Sequence, residues 1–131
     1  MAKTLDKKRI VIADDDDLLM QLVKHTFGQH SIDAEIATNG EHALELVRTL
    51  RPDAVILDGM MPGMDGFEVL QAIKEDPETR DIPVVILSAR SKEKDIVSGL
   101  SLGAEDYVVK PFRPDELYLR VARLLVKPPR K

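Results

Sequence analysis

At 131 residues, 44% of them hydrophobic and 32% charged, the chain is long enough for one domain with a packed core and too short for two ordinary ones. It contains no cysteine, which excludes a disulfide framework and thiolate chemistry, and no apolar run approaches the roughly 20 residues of a membrane helix. A formal net charge of −4 argues against nucleic acid as a direct partner. The basic ends, residues 1–8 and 127–131, read as solvated flanks around a domain spanning 9–126. Met1 to Arg9 is polar and basic with no apolar segment behind it, so no signal peptide is expected and a cytoplasmic location is.

Taken in order, two kinds of segment alternate. Arg9 to Ala13 reads as a buried strand, followed by Asp14 to Asp17 at its C-terminal end. Asp16 or Asp17 can cap the next helix, whose apolar positions are Leu18, Leu19, Leu22, Val23 and Phe27, with Gly28 closing it. Asp33 to Ala37 is a short strand suited to a sheet edge, and Asn39-Gly40 a turn into a helix carrying Ala43, Leu44, Leu46, Val47 and Leu50. Pro52 ends that helix. Ala54 to Asp58 is a strand buried on both faces, after which Gly59, Pro62 and Gly63 form a loop. A helix with Phe67, Val69, Leu70 and Ile73 stops at Asp76-Pro77. Pro83 to Leu87 is the next strand, with Ser88 at its tip. Ile96, Val97, Leu100 and Leu102 mark a shorter helix that Gly103 terminates. Tyr107 to Val109 is the last strand, tipped by Lys110-Pro111, and Pro114 opens a helix bearing Leu117, Val121, Leu124 and Leu125. The expected fold is α/β, a doubly wound parallel sheet with helices on both faces.

In a parallel sheet every strand points the same way, so Asp14, Asp15, Asp58, Ser88 and Lys110 all fall at C-terminal strand tips and can converge on one crevice. Singly, each has a plain structural account: a solvated cap cluster, a turn-capping Asp, a helix-capping Ser, a surface ammonium. Together, carboxylates crowded into one crevice repel one another, which a bound divalent cation would relieve. Hard oxygen ligands in a partly open site suit Mg²⁺ better than zinc or a full calcium cage.

These residues carry a resemblance. Asp14-Asp15, Asp58 followed by Met60-Met61-Pro62-Gly63-Met64-Asp65-Gly66, Ser88-Ala89 and Lys110-Pro111-Phe112 are similar to the motif set of the response-regulator receiver domains of two-component signalling, from Arg9 to about Leu125. The resemblance implies a flavodoxin-like sheet with strand order 2-1-3-4-5. It implies that Asp58 accepts a phosphoryl group from a histidine kinase or histidine phosphotransfer protein, forming an aspartyl phosphate. Asp14, Asp15, Asp58 and the backbone carbonyl of Met60 would hold Mg²⁺, with Mn²⁺ as a substitute. Lys110, the Ser88 hydroxyl and the Ala89 N–H would contact the phosphoryl oxygens. Ser88 and Tyr107 would switch the surface of the fourth helix, fifth strand and fifth helix toward a downstream protein or an attached effector. The Lys110-Pro111 bond would be cis. Such a domain is not an enzyme on other substrates; it catalyses only its own phosphorylation and dephosphorylation.

Departures shape the expectation. Ser88 stands where Thr is commoner, and Asp17 where many relatives carry Pro. Asp106, Glu116 and Arg120 match an interface used for phosphorylation-dependent homodimers, whereas Lys94 and Ile96 replace an acid and an Arg there. Met60 and Arg90 would flank the path of a hydrolytic water and slow loss of the phosphoryl group. Two other classes are weighed. An Asp-nucleophile phosphatase would need a second acid two residues after Asp58, where Met60 stands. An interaction-only receiver would need a missing site residue, and none is missing. The Pro128-Pro129-Arg130-Lys131 ending fits either a single-domain regulator or a receiver joined to more chain.

Overall fold

The computed structural model describes residues 7–126; the basic flank at 1–6 and the tail at 127–131 lie outside them. Five strands and five helices alternate: β1 (Lys8–Ala13), α1 (Asp17–Gly28), β2 (Ile32–Ala37), α2 (Gly40–Leu50), β3 (Ala54–Asp58), α3 (Gly66–Glu75), β4 (Val84–Ser88), α4 (Glu93–Ser101), β5 (Asp106–Val109) and α5 (Pro114–Leu125). The strands form one parallel sheet in the order β2-β1-β3-β4-β5, as the sequence and its resemblance lead one to expect. Strand side chains alternate between two cores. Val11, Val55, Leu57, Val84 and Ile86 face the layer made by α2 and α3. Ile10, Ile12, Ile56, Val85 and Leu87 face α1 and α5. The chain order reverses direction across the sheet between β1 and β3, which puts a crevice beyond their C-terminal ends.

Helix starts follow the side chains that can satisfy free N–H groups. Asp16, not Asp17, caps α1 by accepting from the Leu19 N–H at 3.1 Å; Asp17 takes the first helical position, where its charge meets the positive end of the dipole. Asn39 caps α2 through the His42 N–H at 2.8 Å. Asp65 and Glu68 form a reciprocal capping box on α3.

Three packing expectations change. In α1 Val23 and Phe27 are buried as expected, but Leu18 and Leu22 are exposed and Met20 completes the buried face; contact with β2 and α5 selects that side of the helix. Gly28 ends α1 without a left-handed turn, which falls at Ser31 with φ 62°. Of the residues expected to pack in α4, Ile96 is half-buried against the core, but Val97 and Leu100, and Leu102 just after the helix, are exposed, and Gly99 is the fully buried residue. Gly103 does end that segment as expected, at φ 111°.

Candidate functional site

The crevice is built from backbone upward. The Asp14 N–H donates to the Ala37 carbonyl at 3.2 Å, and the Gly59 N–H donates to the Leu87 carbonyl at 2.8 Å. The Lys110 N–H donates to the Ser88 carbonyl at 2.8 Å. These bonds continue the sheet ladder past the strand ends and fix where the side chains of Asp14, Asp58, Ser88 and Lys110 start. The loop after Asp58 folds back on it, because Gly66 has no Cβ: one built there would lie 2.2 Å from the Asp58 carbonyl oxygen.

Asp14 and Asp58 are buried and Asp15 is exposed, yet each offers a carboxylate oxygen within 4.8 Å of the others. Lys110 reaches the same point. Its Nζ lies 2.8 Å from Asp14 Oδ2 and 3.4 Å from Asp58 Oδ2. Asp58 Oδ1 accepts the Met60 N–H at 3.2 Å, and Asp14 Oδ1 accepts the Asp16 N–H at 3.0 Å. Asp14 Oδ2 is buried with no well-directed hydrogen bond among the described residues; the Lys110 ammonium answers its charge without closing its coordination. Burial first, and Asp14 second, hold the Asp58 carboxyl above the ordinary carboxylate range, against the Met60 N–H and Lys110. For Lys110, burial pulls the ammonium down, but Asp14 and Asp58 together outweigh it and the net direction is up.

Three carboxylates therefore face one ammonium. The donor set is all oxygen, the buried Asp14 Oδ2 meets only the Lys110 ammonium among the described residues and without good direction, and one side is open to solvent through Asp15. These residues fit a hard divalent cation.

Ser88 is fully buried, and its Oγ accepts the Arg90 N–H at 3.0 Å. Ala89 beside it is exposed. The Tyr107 ring is buried at 6% exposure, and its hydroxyl donates to the Arg90 carbonyl at 3.0 Å rather than to water. Nothing local in the sequence signals that acceptor, nor the direct Asp14–Lys110 pair, because both depend on how three strand tips come together. The Lys110-Pro111 peptide is cis, as expected. Asp106, Glu116 and Arg120 come together within one chain. Arg120 Nη1 lies 3.1 Å from both Asp106 oxygens, and its Nε lies 3.4 Å from Glu116 Oε2. Asp106 in particular, with Glu116, holds the guanidinium's acidity even lower than usual. Lys94 is exposed and Ile96 half-buried. Among the described residues no helix is long and apolar enough to cross a membrane.

An acidic crevice able to hold a cation, at the switch point of a five-stranded doubly wound sheet, places the chain in the class of α/β domains that bind ligands beyond the carboxyl ends of their strands. Comparison with known proteins narrows it. A family model described as the response regulator receiver domain matches residues 10–122. The chain is 42% identical over 119 residues to the DNA-binding response regulator MtrA of Mycolicibacterium smegmatis, covering 90% of this chain and 51% of that protein. It is 38% identical over 117 residues to the response regulator MprA of Mycolicibacterium vanbaalenii, covering 89% of this chain and 50% of that one. Among solved structures, the receiver domain of the Francisella response regulator 1452 superposes with a TM-score of 0.84 at 36% identity, covering 90% of this chain and 96% of the other. A response regulator from Chloroflexus aurantiacus gives 0.86 at 31% identity, covering 93% and 100%. The chain belongs to the response regulator receiver domain family of two-component signalling. It spans about half the length of the curated relatives it matches.

Proposed function

We propose that Asp58 accepts a phosphoryl group from a phosphohistidine on a histidine kinase or phosphotransfer protein. The observation that carries this reading is the joint approach of Asp14, Asp15, Asp58 and Lys110 at the strand tips. An Asp58 carboxylate oxygen attacks phosphorus in line, the N–P bond of the donor breaks, and the imidazole leaves with its electron pair. Phosphoryl transfer of this kind needs positioning and charge neutralisation more than covalent help. Asp14, Asp15, Asp58 and the Met60 carbonyl would hold Mg²⁺, whose chemistry here is to neutralise charge on the phosphoryl oxygens. Lys110 releases Asp58 and takes a phosphoryl oxygen instead. The Ser88 hydroxyl and the Ala89 N–H donate to another.

The output follows from the same site. When Ser88 turns toward the phosphoryl group it gives up the Arg90 N–H, and the Tyr107 ring, already bonded to the Arg90 carbonyl, is favoured inward in the space Ser88 leaves. The face made by α4, β5 and α5 is thereby tied to the state of Asp58. We assign the receiver to 9–126 and its setting to the cytoplasm, where its kinase partners present phosphohistidine. MtrA is named DNA-binding over a length about twice the matched part. In our reading the domain itself, with its net charge of −4, touches a protein partner or an attached effector, and any contact with nucleic acid is made by other parts of a longer protein.

The test is intact-protein mass spectrometry after incubation with acetyl phosphate and Mg²⁺. Wild type should gain one phosphoryl group only with the cation, and Asp58→Ala should gain none. No adduct on a wild type that binds Mg²⁺ would leave a receiver that acts by contact alone.

A further inference from the structure

The one buried residue of α4 is a glycine, in a helix where alanine would be the better former. A Cβ built on Gly99 would lie 3.0 Å from Tyr107 Cδ2, 3.2 Å from Tyr107 Cε2 and 3.4 Å from Phe67 Cε1. All three atoms belong to rings packed beneath the helix. The Tyr107 ring is held there by its hydroxyl bond to the Arg90 carbonyl. Moving it away from the helix would strain that bond, and the same Cβ would also meet Phe67. Elsewhere on the helix only the half-buried Ile96 packs against this core; Val97 and Leu100 are exposed.

We propose that Gly99 is a positioning residue that sets the resting orientation of Tyr107. The missing side chain leaves the space in which the ring sits inward before any phosphoryl group arrives. Phosphorylation at Asp58 then stabilises an arrangement already in place, and a methyl group at 99 would shift the balance toward an outward ring. The inference rests on Tyr107 being the aromatic that responds to the site, and on Asp58 accepting phosphate, as argued above.

Consequences separate this from ordinary packing. Glycine in mid-helix lowers stability relative to alanine. Gly99→Ala should therefore raise the melting temperature when the ring is absent, and lower it or leave it unchanged when the ring is present. Ring position in turn should set how readily the site accepts a phosphoryl mimic, since a ligand meets a lower apparent affinity when its competent state is depopulated.

The experiment uses the full chain with ring-labelled tyrosine in a Tyr118→Phe background, so that Tyr107 alone reports in the NMR spectrum. A soluble paramagnetic chelate reads ring exposure. In the absence of beryllofluoride the ring should be protected, and Gly99→Ala should increase its relaxation by the chelate several-fold. Beryllofluoride with Mg²⁺ should restore protection in Gly99→Ala, at a several-fold higher concentration than saturates the parent. A ring equally protected in Gly99→Ala overturns the proposal. If Gly99→Ala does not fold, the same substitution on Tyr107→Ala decides: a higher melting temperature than Tyr107→Ala alone supports the contact, and an equal or lower one overturns it. If Gly99→Ala exposes the ring but beryllofluoride changes neither protein, the role of Gly99 stands and the phosphoacceptor reading of Asp58 fails.

Discussion

The two edges of the sheet treat charge in opposite ways. Where the strands begin, Lys74 donates to the carbonyls of Arg80 and Ile82 at 3.1 and 2.9 Å and sits 3.3 Å from Glu105 Oε2. Glu105 Oε1 in turn accepts the Val84 N–H at 2.7 Å. Asp53 accepts the Arg9 N–H at 2.9 Å. Each of these three charged side chains meets a backbone dipole or an opposite charge. Where the strands end, three carboxylates crowd together with only Asp14 and Asp58 paired to Lys110, and a buried oxygen of Asp14 has no well-directed hydrogen bond. Complete pairing ties α3, β4 and β5 into one unit. Incomplete pairing leaves capacity for something the chain does not itself supply.

Substitutions can break that contrast. The largest effect belongs to the ending edge. Lys110→Ala should slow phosphorylation of Asp58 by acetyl phosphate about a hundredfold, the usual loss when one oxyanion-stabilising group is removed. A rate within a few-fold of wild type would show that the ammonium serves only to pair Asp14. Next comes the beginning edge. Lys74→Ala strips the donor from two carbonyls and leaves Glu105 without its cation, which should cost about 1–3 kcal/mol in urea unfolding. Below its transition the folded variant should still take phosphate at the wild-type rate, because nothing it touches reaches Asp58. A slowed rate would mean that the two edges are coupled.

The architecture was legible because strand composition and helix period alternate cleanly, and a parallel sheet then dictates that Asp14, Asp58, Ser88 and Lys110 share an edge. What was not legible is what depends on choosing between equivalent local patterns or on contacts across elements. In α1 the sequence marks Val23 and Phe27 correctly, but Leu18 and Leu22 fit a helical stripe as well as Met20 does, and only docking on the sheet decides that Met20 is buried and the two leucines are not. In α4 the apolar residues read as a core face, yet only Ile96 of them packs against the core, and where the helix passes Tyr107 and Phe67 most closely the residue is Gly99. The partner of the Tyr107 hydroxyl, a backbone carbonyl seventeen residues earlier in the chain, has no side-chain signature at all.

A smaller effect concerns the mouth of the crevice. Met60 is 57% exposed and Arg90 is exposed as well, so both can stand in the path of water without holding the fold together. Replacing both with serine should speed loss of the phosphoryl group about three- to tenfold, near 1 kcal/mol of barrier. The Arg90 backbone, which holds Ser88 and Tyr107, is retained in that variant. An unchanged decay rate would remove these side chains from the account.

The smallest effect tests the contrast most directly, through the proton on Asp58. Burial and Asp14 keep this carboxyl above the ordinary value of 3.8. Between that value and the raised native one, the native state binds the proton and the unfolded state does not. Stability must therefore fall as pH rises through the window, and it stays lowered at neutral pH. Asp58→Asn removes the crowded charge. In the presence of a chelator at pH 7 it should melt above wild type, by roughly 1–3 °C for a domain of this size. The gap should close as pH drops through the raised native value toward the ordinary 3.8, as wild type recovers its proton. Mg²⁺ should close it from the other side, stabilising wild type more than the variant, since the cation binds the ionised native site. A variant that melts below wild type in chelator at pH 7 would mean that the Lys110–Asp58 contact at 3.4 Å outweighs repulsion from Asp14. The ending edge would then be as well paired as the beginning one.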